Sequence, residues 1–195
     1  MSWEECLPED IKALYEIHDF KHAAVILKHE FPVEFAEVCN ALRLFKFSID
    51  DVTAPGGNES QIPKKFSNLL RPLGWQEKQM KAEMKIDEEH HSIDTHKVDY
   101  LKGRVAFDLE WNSKDQTFDR DLYAFKAFFD YSKISLGILV TRSNELDAWF
   151  KSLNLFGKYG ASTTHMGKLL PRLKAGRNGG CPVLVFGITT KLLSQ

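Results

Sequence analysis

The stretch KVDYLKGRVAFDLEW, Lys97–Trp111, decides the fold. Two runs within it, Lys97–Leu101 and Arg104–Trp111, carry the β-branched and aromatic residues typical of strands, and they meet at Lys102-Gly103, a dipeptide suited to a tight hairpin turn. Along the second run, strand alternation puts Val105, Phe107, Leu109 and Trp111 on one face and Ala106, Asp108 and Glu110 on the other. With Lys102 and Gly103 as the central turn residues, Leu101 faces Arg104 and Asp99 faces Ala106, so Asp99 joins Asp108 and Glu110 on one side of the sheet. The two aspartates are then expected as diagonal neighbours, roughly 7–8 Å apart at Cα.

Downstream of the hairpin, Leu122, Phe125 and Phe129 recur at helical spacing within Phe118–Tyr131. Ile134–Val140 is almost continuously apolar, as expected for a central strand covered on both faces, and Pro182–Ile188 reads the same way. Between them lie a helix over Asn144–Leu153, a Gly/Ser/Thr-rich stretch Gly157–Gly167, a short helical segment Leu169–Leu173 and a loop Arg177–Gly180. Upstream, Ile11, Leu14, Tyr15, Ile17 and His18 share one helical face, and Phe35, Val38, Cys39 and Leu42 share another. Asp19 is a candidate N-cap for a helix between these two, Phe45–Val52 reads as a strand or extended segment, and Pro63–Leu73 as a helix ending at Gly74. The Pro-Gly-Gly segment at 54–60 is the clearest loop, and Lys78–His91 resembles the rim of a sheet. The order hairpin, helix, strand, helix, strand predicts an α/β architecture with a mixed sheet. The 195 residues are expected to form one domain, with a mainly helical part at 1–95 and a core at 96–195.

The composition is that of a soluble globular protein, with 43% apolar and 27% charged residues. The longest apolar runs fall far short of the ~20 residues of a membrane span, and the acidic start is unlike a signal peptide. Three scattered cysteines without a CxxC spacing argue against a structural zinc site and for a reducing cytoplasm. The net charge of −1 hides an asymmetry. Lys151–Gln195 holds seven basic residues and no acidic one, a charge of +7, which leaves −8 on the first 150 residues. Such a segment suits a polyanionic partner, although a basic chain end without a partner has the same composition.

Carboxylates clustered on an otherwise apolar hairpin repel one another unless a cation lies among them. A hard cation in that position polarises a phosphate and lowers the pKa of an attacking water. A solvent-facing strand that is simply acidic fits the alternation too. The histidine pairs His18/His22 and His90/His91 have no convincing set of partner ligands.

Asp99, eight residues, then Asp108-Leu109-Glu110 resembles the PD-(D/E)XK nuclease signature, and more closely the BglII/BstYI group of type II restriction endonucleases, which has an Asp, eight residues and an acid-x-Gln pair. Phe20–Leu27 is similar to that group's N-terminal helix entry, and Phe66–Trp75 to its segment before the hairpin. Gly176-Arg177 ahead of Pro182–Gly187 is similar to its last basic loop and strand. One departure stands out: Glu110 occupies the place of Gln in the group and of Lys in many other relatives. A carboxylate there orients or deprotonates water, or helps to hold a second metal, and does not neutralise charge. Lys97, Lys102 and Lys126 are the nearby cations in sequence, and Asp119, Arg120 and Asp121 cap the next helix or line the cleft.

The resemblance implies a restriction-endonuclease-like mixed sheet flanked by helices and Mg²⁺-dependent hydrolysis of double-stranded DNA to 5′-phosphate ends. It also implies a homodimer on a palindromic site, with a methyltransferase that protects the same site. Mg²⁺, replaceable by Mn²⁺, is expected on Asp99, Asp108, the backbone carbonyl of Leu109 and Glu110, with Glu110 handling the water. Expected DNA contacts are Asn112, Ser113, Lys114, Ser162, Thr163, Thr164, His165, Lys168, Arg172, Lys174, Arg177 and Asn178. Among these, Arg177 suits guanine and Asn112 and Asn178 adenine, while Lys168, Arg172 and Lys174, with Lys158, suit phosphates. Two rival readings are a DNA-binding module whose acidic hairpin is structural, and a repair or nicking nuclease without sequence preference.

Overall fold

The computed structural model describes residues 2–54 and 60–194. Most of the loop expected at 54–60 lies outside them. In chain order the elements are α1 (Trp3–Cys6), α2 (Glu9–Leu14), β1 (Tyr15–Phe20), α3 (Ala23–Glu30), α4 (Pro32–Leu44), α5 (Ile49–Thr53), α6 (Gln61–Leu70), β2 (Gln76–Lys78), β3 (Lys81–Ile86), β4 (Glu89–Asp94), β5 (Val98–Lys102), β6 (Val105–Glu110), α7 (Thr117–Asp130), β7 (Leu136–Arg142), α8 (Leu146–Ser152), α9 (Met166–Lys174) and β8 (Val183–Ile188).

Six strands form one mixed sheet in the order β1-β8-β7-β6-β5-β2, while β3 and β4 pair as a separate hairpin. The centre, β6-β7-β8, is parallel, and β1, β5 and β2 run antiparallel to their neighbours. This is the predicted mixed α/β architecture. All residues of β7 and β8 are buried, which their unbroken apolar sequence requires. On one face Val105, Phe107, Ile138 and Phe186 pack under the N-terminal helices. On the other, Ala106, Leu139 and Val185 pack under α7 and α9. Contact between α7 and the sheet is close enough that a Cβ on Gly137 would lie 2.3 Å from the Phe125 ring.

Three expectations are corrected. Tyr15, Ile17 and His18 belong to an edge strand and not to a helix, because pairing of β1 with β8 along six residue pairs satisfies their backbone. The helical stretch before them is only six residues long. Phe45–Val52 is not a strand: Phe47 makes a single bridge to Leu193, after which Ser48 caps α5. The Ser48 and Asp51 pair forms a reciprocal capping box, with Ser48 N–H donating to Asp51 at 2.7 Å. Asp19 accepts the Ala24 N–H at 2.8 Å, so it serves the start of α3 from five residues back, whereas His22 sits at the N-cap itself in a left-handed conformation.

The hairpin differs in register. Lys102 pairs with Val105, Leu101 with Ala106 and Tyr100 with Phe107, so the central turn residues are Gly103 and Arg104. Gly103 has φ +52, the left-handed value that a two-residue hairpin needs at its first central position. The difference amounts to two residues of pairing, an even number, so every side chain keeps its expected face.

Candidate active site

The acidic residues lie where β5 begins and β6 and β7 end beneath α7, the crevice at the carboxyl ends of parallel strands where open α/β sheets place their ligands. Beyond the pair Tyr100–Phe107, Asp99 and Asp108 come opposite each other, and the ladder gives way to side-chain bonds. The Asp99 N–H donates to Asp108 Oδ1 at 2.6 Å, and the Leu109 N–H donates to Asp99 Oδ2 at 3.2 Å. A second irregularity bears on the same place. From Gln76–Leu101 to Lys78–Val98, β5 advances one residue more than β2, a bulge that spans Asp99. Such bulges re-aim a side chain at the end of a ladder.

Asp108 is 2% exposed and its Oδ2 has no hydrogen-bond partner. Burial, and then the charge of Asp99, hold its carboxyl well above the ordinary range. Glu110 follows on the same face, its Oε2 also buried and unpartnered. Burial pushes Glu110 up to about 7 with help from the Asp99 charge, while the Ser113 hydroxyl, Arg120 and Asp121 act in the opposite direction.

Asp121, expected from sequence to cap α7 or line the cleft, was not counted among the catalytic carboxylates. It projects from α7 onto the same cluster, 3% exposed, with Oδ2 buried and unpartnered. Burial, followed by the charges of Asp108, Glu110 and Asp99, raises its carboxyl strongly. Its signal was available: Leu122 and Phe125 define the buried face of α7, and Asp121 borders that face next to Leu122. Asp119, two residues earlier, points elsewhere. It is no N-cap, a place held by Gln116, but binds Arg172 and Arg177. Those bonds outweigh burial and lower its pKa.

Three buried carboxylate oxygens without partners, on two elements packed face to face, fit a cation. Among the described residues no three His, Cys, Asp or Glu side chains already stand as a metal cage. A hard cation such as Mg²⁺ needs no such cage, since it takes one or two carboxylates and fills its remaining positions with water and substrate phosphate. The lysines considered as charge donors are occupied elsewhere: Lys97 pairs with Glu77, Lys102 with Glu37, and Lys126 with Asp130. Arg120 is a cation whose charge acts on Glu110 and Asp121. It lines a cleft of about 470 Å³ with Lys114, Gln116 and Thr117.

The expected DNA contacts separate by placement. Ser113, Lys114, Ser162, Lys174 and Arg177 are exposed, and Asn112, Thr163, Lys168 and Arg172 are half-buried. Thr164, His165 and Asn178 are buried and present little to solvent. Asn178 donates to the Cys181 carbonyl at 2.6 Å, closing its own turn, and His165 faces Asn144 Oδ1 at 3.3 Å. The +7 segment is not an open basic surface. Lys168 and Arg172 pair with Asp115, and Arg172 and Arg177 pair with Asp119, while the Lys158 and Lys191 ammonium groups donate to backbone carbonyls. Acidic residues from the start of α7 thus neutralise part of what the sequence segregates.

No curated protein matches the chain. The family model of the restriction endonuclease BglII/BglIII matches residues 15–188, from the first residue of β1 to the last of β8, and so includes every strand of the sheet and the whole acidic cluster. The chain belongs to the BglII/BglIII restriction endonuclease family.

Proposed function

We propose that this site-specific endonuclease is a type II enzyme that hydrolyses double-stranded DNA with Mg²⁺, replaceable by Mn²⁺, and leaves 5′-phosphate and 3′-hydroxyl ends. The supporting observation is the set of unpartnered buried oxygens, Asp108 Oδ2, Glu110 Oε2 and Asp121 Oδ2, at the carboxyl ends of the central strands. Asp99, Asp108 and the backbone carbonyl of Leu109 would hold the cation, with Glu110 and Asp121 beside it. When bound, the cation polarises the scissile phosphate and offsets the carboxylate repulsion.

The chain's own residues account for the rest of the chemistry. Glu110, pushed up to about 7, lies in the range where a carboxylate takes a proton from water near neutral pH. That water attacks phosphorus and the 3′ oxygen leaves. The bonds from the Asp99 and Leu109 N–H groups lock the two aspartates in place, so no reorganisation is needed when substrate arrives. Arg120, which lines the cleft with Lys114, would meet phosphates.

A homodimer on a palindromic site, each protomer cutting one strand, completes the reading, together with a methyltransferase that modifies the same site. A cytoplasmic location suits this activity and the three free buried thiols Cys6, Cys39 and Cys181. The test is digestion of long unmodified DNA with Mg²⁺ or with EDTA, using the wild type and Asp108→Asn, followed by sequencing of the ends. Discrete fragments from the wild type with Mg²⁺ only are expected. A smear would point to a nuclease without sequence preference, and intact DNA with salt-sensitive binding to a module that does not cut.

A further inference from the structure

Two segments far apart in sequence meet beside the acidic cluster. Ser113–Asp115, following β6, and Ser162–Thr164 form a short antiparallel ribbon. Lys114 bridges Thr163, the Thr164 N–H donates to the Ser113 carbonyl at 2.9 Å, and the Asp115 N–H donates to the Ser162 carbonyl at 3.1 Å. Ser113, Lys114 and Ser162 are exposed on it. Lys114 lines the cleft, and the Ser113 hydroxyl reaches Glu110. The ribbon thus touches both the surface that DNA must approach and the carboxylate that handles water.

A ribbon with one bridge cannot hold its own geometry. It is held by Arg142, the last residue of β7, which is 0% exposed. Its Nε donates to the Thr164 carbonyl at 2.8 Å. One terminal nitrogen donates to Thr163 Oγ1 at 2.5 Å and to the Gly160 carbonyl at 3.3 Å, and the other to Asp147 at 3.4 Å. The guanidinium also lies 5.6 Å from the Phe150 ring centroid and 5.8 Å from that of Tyr159. Two residues further on, Asn144 Oδ1 accepts the Gly167 N–H at 2.6 Å. The end of β7 therefore grips the 160–167 segment at both ends.

Burying a guanidinium is costly, and an apolar side chain of similar volume fills a core at least as favourably. What the arginine adds is geometry: a planar fork with fixed donor directions selects one arrangement of the carbonyls around it. We propose that Arg142 is a positioning residue, and that the ribbon it sets, Ser113–Asp115 with Ser162–Thr164, is the element that reads DNA bases in register with the cleavage carboxylates. This rests on the nuclease reading of the site. Arg142 itself does not reach the DNA. Rotation or sliding of the ribbon displaces Ser113, Lys114 and Ser162 from the base edges while leaving Asp99, Asp108 and Glu110 in place.

The test uses the full chain with Arg142→Lys and Thr163→Val. The second variant is close in shape, removes only the hydroxyl that Arg142 contacts, and serves if the first fails to fold. Once digestion by the wild type has defined its site, kcat/KM is measured on that site and on sites with one changed base pair, alongside the unfolding midpoint and affinity for random DNA. A well-read base pair is worth roughly 10- to 100-fold in discrimination. Both variants are expected to lose about tenfold or more of the wild-type ratio, and Arg142→Lys, whose side chain does not reach the DNA, to bind random DNA as the wild type does. A lower unfolding midpoint with the ratio unchanged in Thr163→Val would make Arg142 purely structural and overturn the inference alone. A wild type that cuts no DNA, or cuts without preference, overturns the functional reading and this inference with it.

Discussion

Replacing Glu110 with Gln should make the metal-free protein more stable. The Glu110 carboxyl is raised from 4.5 to about 7, first by burial and then by Asp99. A raised acid favours the protonated native state, so the folded chain holds this proton more tightly than the unfolded chain does. Stability therefore falls as pH rises from about 4.5 to about 7, and the whole loss is present above 7. At about 1.4 kcal/mol per pKa unit, the loss approaches about 3 kcal/mol. Asp108 and Asp121 share the cluster and absorb part of the relief, which leaves about 1–3 kcal/mol for Glu110→Gln. In a chain of this length 1 kcal/mol corresponds to roughly 2–4 °C in Tm. The assay is thermal unfolding of both proteins near pH 5 and near pH 8, in EDTA and in saturating Mg²⁺. Glu110→Gln should gain several degrees only at the higher pH in EDTA, and Mg²⁺ should narrow the gap by stabilising the wild type. Equal melting at both pH values, with no response to Mg²⁺, would show that the carboxylates are not strained against one another and would refute the cation site.

Asp121→Asn should lower kcat by about 100-fold or more with unchanged DNA affinity, measured by single-turnover cleavage and a binding titration, since the role assigned to Asp121 lies on the catalytic side of the cleft. Asp119→Asn releases Arg172 and Arg177 from their carboxylate, so DNA binding should tighten at low salt and the slope of log K against log salt should steepen by about 1–2. Unchanged salt dependence would show that these arginines do not reach phosphate. Gly137→Ala sets a methyl group 2.3 Å from the Phe125 ring between β7 and α7. Overpacking of this kind costs about 1–3 kcal/mol, readable as a lower urea midpoint with an unchanged m-value.

The charge segregation shows how a pattern along the chain changes meaning once it is folded. Seven cations and no acid over the last 45 residues suggest a bare basic surface. In the fold, Asp115 and Asp119, separated from α9 along the chain by β7 and α8, meet Lys168, Arg172 and Arg177. Linear charge counts locate cations but not their counter-ions. A DNA phosphate would have to displace those carboxylates to meet the arginines.

The local sequence alone determined the hairpin, the buried strands near 136 and 185, and the face shared by Asp99, Asp108 and Glu110. Each depends on period-2 alternation or an unbroken apolar run, which survives an even shift of register such as the one at Gly103-Arg104. Tertiary structure decided the rest. Tyr15–Phe20 is a strand only because β8 offers it an edge, and its short amphipathic pattern suits a helix equally well. Asp121 joins the acidic cluster because α7 packs across β6, a contact between segments that neither encodes by itself. Arg142 looks from sequence like any charged residue at a strand end, yet it is fully buried because the carbonyls of residues 160–164 converge on it. Burial of a polar group is settled by its partners, and in each of these cases the partner lies far away in the chain.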